Sequence, residues 1–217
     1  MSQRNSGRVR VPHDAYQTRE QWVTTALCEH FPVHELRVLE PACGAGFMAS
    51  AFLANGASEV RANDVVKTKY SGFYRKADFL DPDNQGGYYD AVDLFDVIAT
   101  NPPYGSGGAT ALAFAERGIE LLRQFKNIIF FALLLKVDFD SGRTRAHVFR
   151  DCPEFAAKIV LLERISWFKP KKDVRAHPSD NHAWFVWQRP AAPQHFAFGM
   201  QRTHRLLYQR PRVTTNG

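Results

Sequence analysis

Cysteine is scarce: Cys28, Cys43 and Cys152 are the only three in a chain of 217 residues. They lie far apart, without the close pairs of a metal site, and read as small buried residues of a reduced, cytoplasmic protein. No run of about 18 apolar residues occurs, so no membrane-spanning helix and no membrane partner are expected. The opening MSQRNSGRVRVPHD is polar and basic and lacks the apolar segment of a signal peptide. No internal repeat is visible, and no linker sets off a second domain. What remains is a chain with 45% apolar and 13% aromatic residues, enough for one substantial core. That core is expected over residues 14–190, between a basic flexible arm (1–13) and a basic tail (191–217).

Acidic residues run short towards the end. The first 140 residues carry 14 Lys/Arg against 17 Asp/Glu, and the last 77 carry 14 against 5. A one-sided basic half suits a polyanion, because neutralising phosphates releases counterions.

Strand-like and helix-like segments alternate. Helices are expected at 18–30, with Thr18 and Gln21 spaced as a capping box, at 47–55 before a Gly56 cap, at 110–124 and at 144–157. Strands are expected at 36–40, 59–63, 73–77, 94–100, 158–163 and 183–188. The run NIIFFALLL, 127–135, has the continuous apolar character of a central strand buried on both faces. Such alternation predicts an α/β fold, a mostly parallel sheet with helices on both faces, ending in an irregular tail.

Two turns carry the chemistry. In VLEPACGAGFMA, 38–49, Gly44 and Gly46 allow close approach of a ligand, and a helix N-terminus follows. Asp64 lies 20 residues beyond Gly44, at a strand end where a carboxylate can take hydrogen bonds from two ribose hydroxyls. Gly44-x-Gly46-x-x-Ala49 also satisfies a dinucleotide fingerprint, so NAD competes. Glu40 and Pro41 in the turn argue against it, because an acid repels a pyrophosphate and attracts a cation such as S-adenosylmethionine. Asp78 and Phe79, ending the third strand, supply an acceptor and a flat face for an adenine.

The second turn is NPPY, Asn101 to Tyr104, closing an apolar strand. An exocyclic amine is a poor nucleophile because its lone pair is delocalised into the ring. The Asn101 side-chain oxygen and the Pro102 carbonyl can accept its two N–H groups and turn the lone pair outward. Pro102 and Pro103 hold that carbonyl in place beforehand, and Tyr104 can stack on the base. No cysteine nucleophile is needed.

The ordered set EPACGAG, Asp64, Asp78-Phe79 and NPPY resembles the S-adenosylmethionine-dependent N6-adenine DNA methyltransferases over about residues 14–190. The resemblance implies a Rossmann-like, seven-stranded, mostly parallel sheet with an antiparallel last strand. It implies a cofactor site of Tyr16, Thr18, Glu40, Ala42, Gly44, Gly46, Asp64, Asp78, Phe79 and Asn101. It implies a catalytic site of Asn101, Pro102, Pro103 and Tyr104, with no metal. The aromatic loop 166–182 then falls where an extruded adenine is held. Trp167 or Phe168 would pack on the base, unless both rings cap the core. Lys169, Lys171, Lys172 and Arg175 would meet phosphates. A paired adenine must be flipped out of the duplex or presented on a single strand.

Only short stretches (138–153, 166–182 and the tail) are left to read sequence, so a short recognition site or little specificity is expected. The same motif occurs in RNA base methyltransferases and in protein glutamine methyltransferases. A nucleic-acid-binding module that has lost catalysis is an alternative of a different class, and an NAD oxidoreductase is the remaining one.

Overall fold

Along the residues that the computed structural model describes (17–81, 95–167, 180–189 and, for the backbone, 205–209), helices and strands alternate as the sequence suggests. In chain order they are α1 (Gln21–Cys28), β1 (Arg37–Glu40), α2 (Phe47–Ala54), β2 (Glu59–Asp64), β3 (Phe73–Lys76) and β4 (Val97–Thr100). Then come α3 (Ala109–Gln124), β5 (Phe130–Lys136), β6 (Phe155–Leu161), β7 (His182–Gln188) and β8 (Arg205–Gln209). The strands form one sheet in the order β3-β2-β1-β4-β5-β7-β6-β8. β7 runs antiparallel to both its neighbours, β5 and β6, and the other pairings are parallel. The first seven strands are those expected, and they make a Rossmann-like sheet.

Three local expectations differ. The tail contributes an eighth strand: the backbone of Arg205–Gln209 pairs with β6 and meets the open N–H and C=O groups of that edge. The helix expected at 144–157 is absent. A 3-10 turn, Arg143–Val148, stands there, preceded by another at Phe139–Ser141, and the chain is extended from Phe155. Pro153 inside the segment removes a helical N–H and clashes with the preceding turn, which the apolar spacing alone does not show. Finally, α1 begins at Gln21 behind Glu20 without a side-chain cap, so Thr18 and Gln21 form no capping box.

β5 explains why the sheet is covered twice. Its residues from Phe130 to Leu135 are all buried, and alternate side chains enter opposite cores. Phe131, Leu133 and Leu135 join α3 (Phe114, Ile119, Leu122) on one face. Phe130, Ala132 and Leu134 join α1 and α2 (Val23, Leu27, Phe52) on the other. Two fully buried tryptophans of β7 point to opposite faces, and each has its indole N–H satisfied. Trp184 donates to the Val23 carbonyl and Trp187 to that of Val148, both at 2.7 Å. Among the described residues no helix is long and apolar enough to cross a membrane.

β1 and β4 touch over only two register pairs, Val38 with Val97 and Leu39 with Ile98. Their amino ends are closed by Arg37 and Asp96. The Arg37 backbone N–H and Nε donate to Oδ2 at 2.9 and 3.0 Å, and Nη2 donates to Oδ1 at 2.8 Å. These bonds hold the Asp96 carboxyl below the ordinary aspartate range. A depressed carboxylate stabilises the fold above its unfolded value and loses that contribution as pH falls through the folded one. Asp96→Ala is therefore expected to cost about 1 kcal/mol at neutral pH, the pair being partly exposed. The deficit, read from urea unfolding, should shrink below about pH 4, and a deficit constant with pH would refute the assignment.

Candidate active site

The strand order reverses between β1 and β4, the switch point where open α/β sheets hold ligands at strand carboxyl ends. A cavity of about 750 Å³ lies there. Its wall is drawn from Glu40 to Ala45 after β1, from Asp64 to Tyr70 after β2, and from Ala77 to Leu80 after β3. Asn101 and Pro103 after β4, Gln17 and Thr18 before α1, and Phe47 at the start of α2 complete it, with Thr110 and Phe114 from α3.

The glycine turn is held from three sides. The Gly44 N–H donates to Asp64 Oδ2 at 2.8 Å, the Ala45 N–H to Gln17 Oε1 at 2.7 Å, and the Cys43 N–H to the Asn63 carbonyl at 2.9 Å. Gly46 has φ +77°, and a Cβ there would stand 2.2 Å from the Tyr70 ring, so only glycine lets that ring lie on the turn. Asp64 also takes the Val66 N–H on Oδ1 at 3.1 Å. Each of its oxygens thus has one lone pair engaged by backbone and a second directed elsewhere.

Glu40 is the unusual group. It is 2% exposed, lines the cavity and has one oxygen, Oε2, without a hydrogen-bond partner. Burial pushes its carboxyl well above the ordinary glutamate range, the Ala49 N–H opposes that, and the charge of Asp64 adds to it. A buried carboxyl with an unpaired oxygen, on a residue that lines a cavity, is suited to a cationic ligand. Phe79 is buried against Phe114, ring centroids 4.9 Å apart, while Asp78 is exposed and caps its own turn through the Leu80 N–H at 2.9 Å. Exposed Val65 and Val66 give an apolar rim directly beyond Asp64.

Asn101 donates from Nδ2 to Thr18 Oγ1 at 3.2 Å, which orients its amide and joins the NPPY turn to the segment before α1. Pro102 is buried and Pro103 lines the cavity. Tyr104 is half-buried beside the cavity. Its hydroxyl accepts the Lys136 N–H at 2.5 Å, and its carbonyl accepts the Thr110 N–H at 3.1 Å. Burial raises the Tyr104 phenol above its usual value. All three cysteines are buried and free, and burial pushes the Cys43 thiol up to about 12, which leaves it a protonated, poor nucleophile.

This geometry brings Thr18, Glu40, Ala42, Gly44, Asp64, Asp78, Phe79, Asn101 and Pro103 around one cavity, with Gly46 beneath Tyr70. Trp167 sits apart from it, half-buried against the second core with its ring edge on His182, centroids 5.0 Å apart. Tyr16, Phe168, Lys169, Lys171, Lys172 and Arg175 lie outside the described residues. Tyr70 is not among the residues the sequence points to, and Gln17 enters there only as the residue between Tyr16 and Thr18. Gln17 had a signal in its place beside Thr18, and the apolar pair Val65-Val66 after Asp64 was another, but a lone loop tyrosine has none.

No protein-family model matches the chain, and no curated protein matches it in sequence. Solved structures match it in fold. The 23S rRNA methyltransferase ErmE superposes with a TM-score of 0.53 at 18% identity, covering 82% of this chain and 71% of that one. The methyltransferase subunit of a type I restriction-modification system from Streptococcus thermophilus superposes with a TM-score of 0.51 at 13% identity. That match covers 85% of this chain but 45% of the subunit, so the chain spans less than half of its length. The chain shares its Rossmann-like fold with these methyltransferases. At these identities the likeness extends to the fold alone, and the site's chemistry rests on its own residues.

Within that fold, Glu40 has a measurable signature. Because its carboxyl is raised on folding, the protein loses stability as pH rises from the ordinary glutamate value towards the folded one. Glu40→Gln should abolish that loss. Denaturant unfolding should find the two proteins nearly equal near pH 5 and the variant more stable at pH 8. Wild type gaining on the variant with rising pH would contradict the assignment.

Proposed function

We propose that this chain transfers a methyl group from S-adenosylmethionine to the exocyclic N6 amine of adenine in DNA, with a short recognition site or little sequence specificity. One observation carries the reading. Asn101, at the head of an Asn-Pro-Pro-Tyr turn, lines the same cavity as Asp64, the glycine turn and Glu40, whose buried carboxyl keeps one oxygen without a hydrogen-bond partner.

The residues present fit the cofactor. Asp64 would take the ribose hydroxyls, Phe79 and the Val65-Val66 rim would flank the adenine, and Glu40, Thr18 and the glycine turn would receive the methionine end. Bound there, S-adenosylmethionine supplies an electrophilic methyl on a sulfonium. The chain's own contribution is orientation. The Asn101 amide oxygen and the Pro102 carbonyl accept the two amine N–H groups, and the fixed prolines spare reorganisation as the nitrogen becomes tetrahedral. Tyr104 offers a ring to the base.

The basic excess after residue 140 supports a nucleic acid over a protein substrate, and DNA is put first on the resemblance of the ordered motif set to the N6-adenine DNA methyltransferases. RNA adenine is the second reading, and the likeness to ErmE, a 23S rRNA methyltransferase, supports it. The deciding experiment offers tritiated S-adenosylmethionine with DNA, with RNA and with no acceptor to wild type and Asn101→Ala. Wild type should label DNA, and the variant should lose roughly 10²–10³-fold in rate, as when one preorganised hydrogen-bonding group is removed. Equal incorporation by both proteins would remove Asn101 from this role. Labelling of RNA alone would move the substrate to RNA. Mapping modified adenines in random-sequence DNA should return a short or degenerate site, and a long, strictly required one would overturn the low specificity.

A further inference from the structure

The segment between β5 and β6 is a strap of two 3-10 turns, Phe139–Ser141 and Arg143–Val148, and it converges on the loop that follows the Asn-Pro-Pro-Tyr turn. Arg145 is the meeting point. Its Nη2 donates to the Gly107 carbonyl at 2.9 Å, and its Nη1 donates to the Phe139 carbonyl at 2.9 Å. The guanidinium lies 3.8 Å from the centroid of the Phe139 ring. Phe139 in turn presents an edge-to-face contact to Tyr104, with centroids 6.2 Å apart and planes at 85°.

The strap is itself fixed. Lys158 on β6 donates to both carboxylate oxygens of Asp140 at 2.9 and 2.8 Å, and this pair is mostly buried. The sequence after the turn leaves room for the guanidinium. Gly108 has φ +85°, and a Cβ there would stand 2.8 Å from Arg145 Nη2. Tyr104 is thus held at three points: its hydroxyl by the Lys136 N–H, its carbonyl by Thr110 and Ala111, and its ring by Phe139. One of those points, the Phe139 ring, is the ring Arg145 stacks on, and the loop Arg145 ties through Gly107 leads directly into Thr110 and Ala111 at the start of α3. A planar fork with five donors can span two carbonyls and stack on a ring at once, which an ammonium cannot.

We propose that Arg145 is a positioning residue for methyl transfer. By tying the Gly105–Gly108 loop to the Phe139 platform, it sets the place of Tyr104 and of the turn preceding it, and it touches neither cofactor nor amine. This rests on the reading of Asn101–Tyr104 as an amine cradle. Arg145 does not line the cavity, so cofactor binding and transfer should separate in its variants.

Arg145→Ala and Arg145→Lys are compared with wild type by calorimetry with S-adenosylmethionine, by steady-state methyl transfer, and by amide hydrogen exchange at Thr110 and Ala111. Arg145→Ala should lose about 10–100-fold in kcat, the effect of a small misplacement of reacting groups. Its cofactor Kd should stay within about twofold, and both amides should exchange faster. Arg145→Lys, which keeps the charge and one bond, should fall between the two. Unchanged kcat and exchange would overturn the proposal, and so would a parallel loss of kcat and cofactor affinity, the mark of general damage. Should wild type methylate no acceptor, the proposed function fails instead. The exchange measurement then decides the strap alone, with faster exchange in Arg145→Ala supporting it and unchanged exchange overturning it.

Discussion

The contact between β1 and β4 is the constraint on which the site depends. These strands carry the glycine turn and the Asn-Pro-Pro-Tyr turn on their carboxyl ends, and they pair over only two register positions. Arg37 and Asp96 clamp the far ends of the same pair with three hydrogen bonds. Because helices from β1 and from β4 leave towards opposite sides, the two turns face a gap that no crossover fills. A short pairing, locked at one end and open at the other, yields a cavity whose walls come from distant parts of the chain.

Within that cavity several polar groups are already satisfied, and the buried carboxyl of Glu40 is not fully so. Asp64, Gln17 and Asn101 each have partners that fix their orientation before any ligand arrives. Glu40 keeps an unpaired oxygen at a buried position, a cost that folding alone does not offset. The contrast points to a preorganised surround with one unmet demand, and a cationic ligand would meet it.

Much of this was legible in the residues. The alternation of elements, the doubly buried β5, the glycine turn and Asp64 follow from local patterns with direct physical causes, namely period, turn geometry and strand-end acids. The misses share another cause. Pro153 interrupts an apolar spacing that otherwise reads as helix, so the part of the strap from residue 144 onward, Arg145 included, looked like a regular element. The strand at 205–209 is a short apolar run inside a basic tail, and its pairing depends on an edge, β6, some 45 residues away. Trp167, singled out as a candidate base contact, packs on His182, because an aromatic in a loop has no sequence mark that separates a core cap from a ligand platform.

The sequence by itself determined the fold class and the identity of the groups that can do chemistry: Glu40, Asp64, the glycines and Asn-Pro-Pro-Tyr. These are local properties, set by backbone preferences and by the functional groups that side chains carry. Only the tertiary structure decided that Tyr70 lies on Gly46, that Thr18 orients Asn101, and that Arg145 bridges two loops 38 residues apart. Such contacts depend on which strands become neighbours, and strand order is settled by the packing of the whole sheet between its two helical layers.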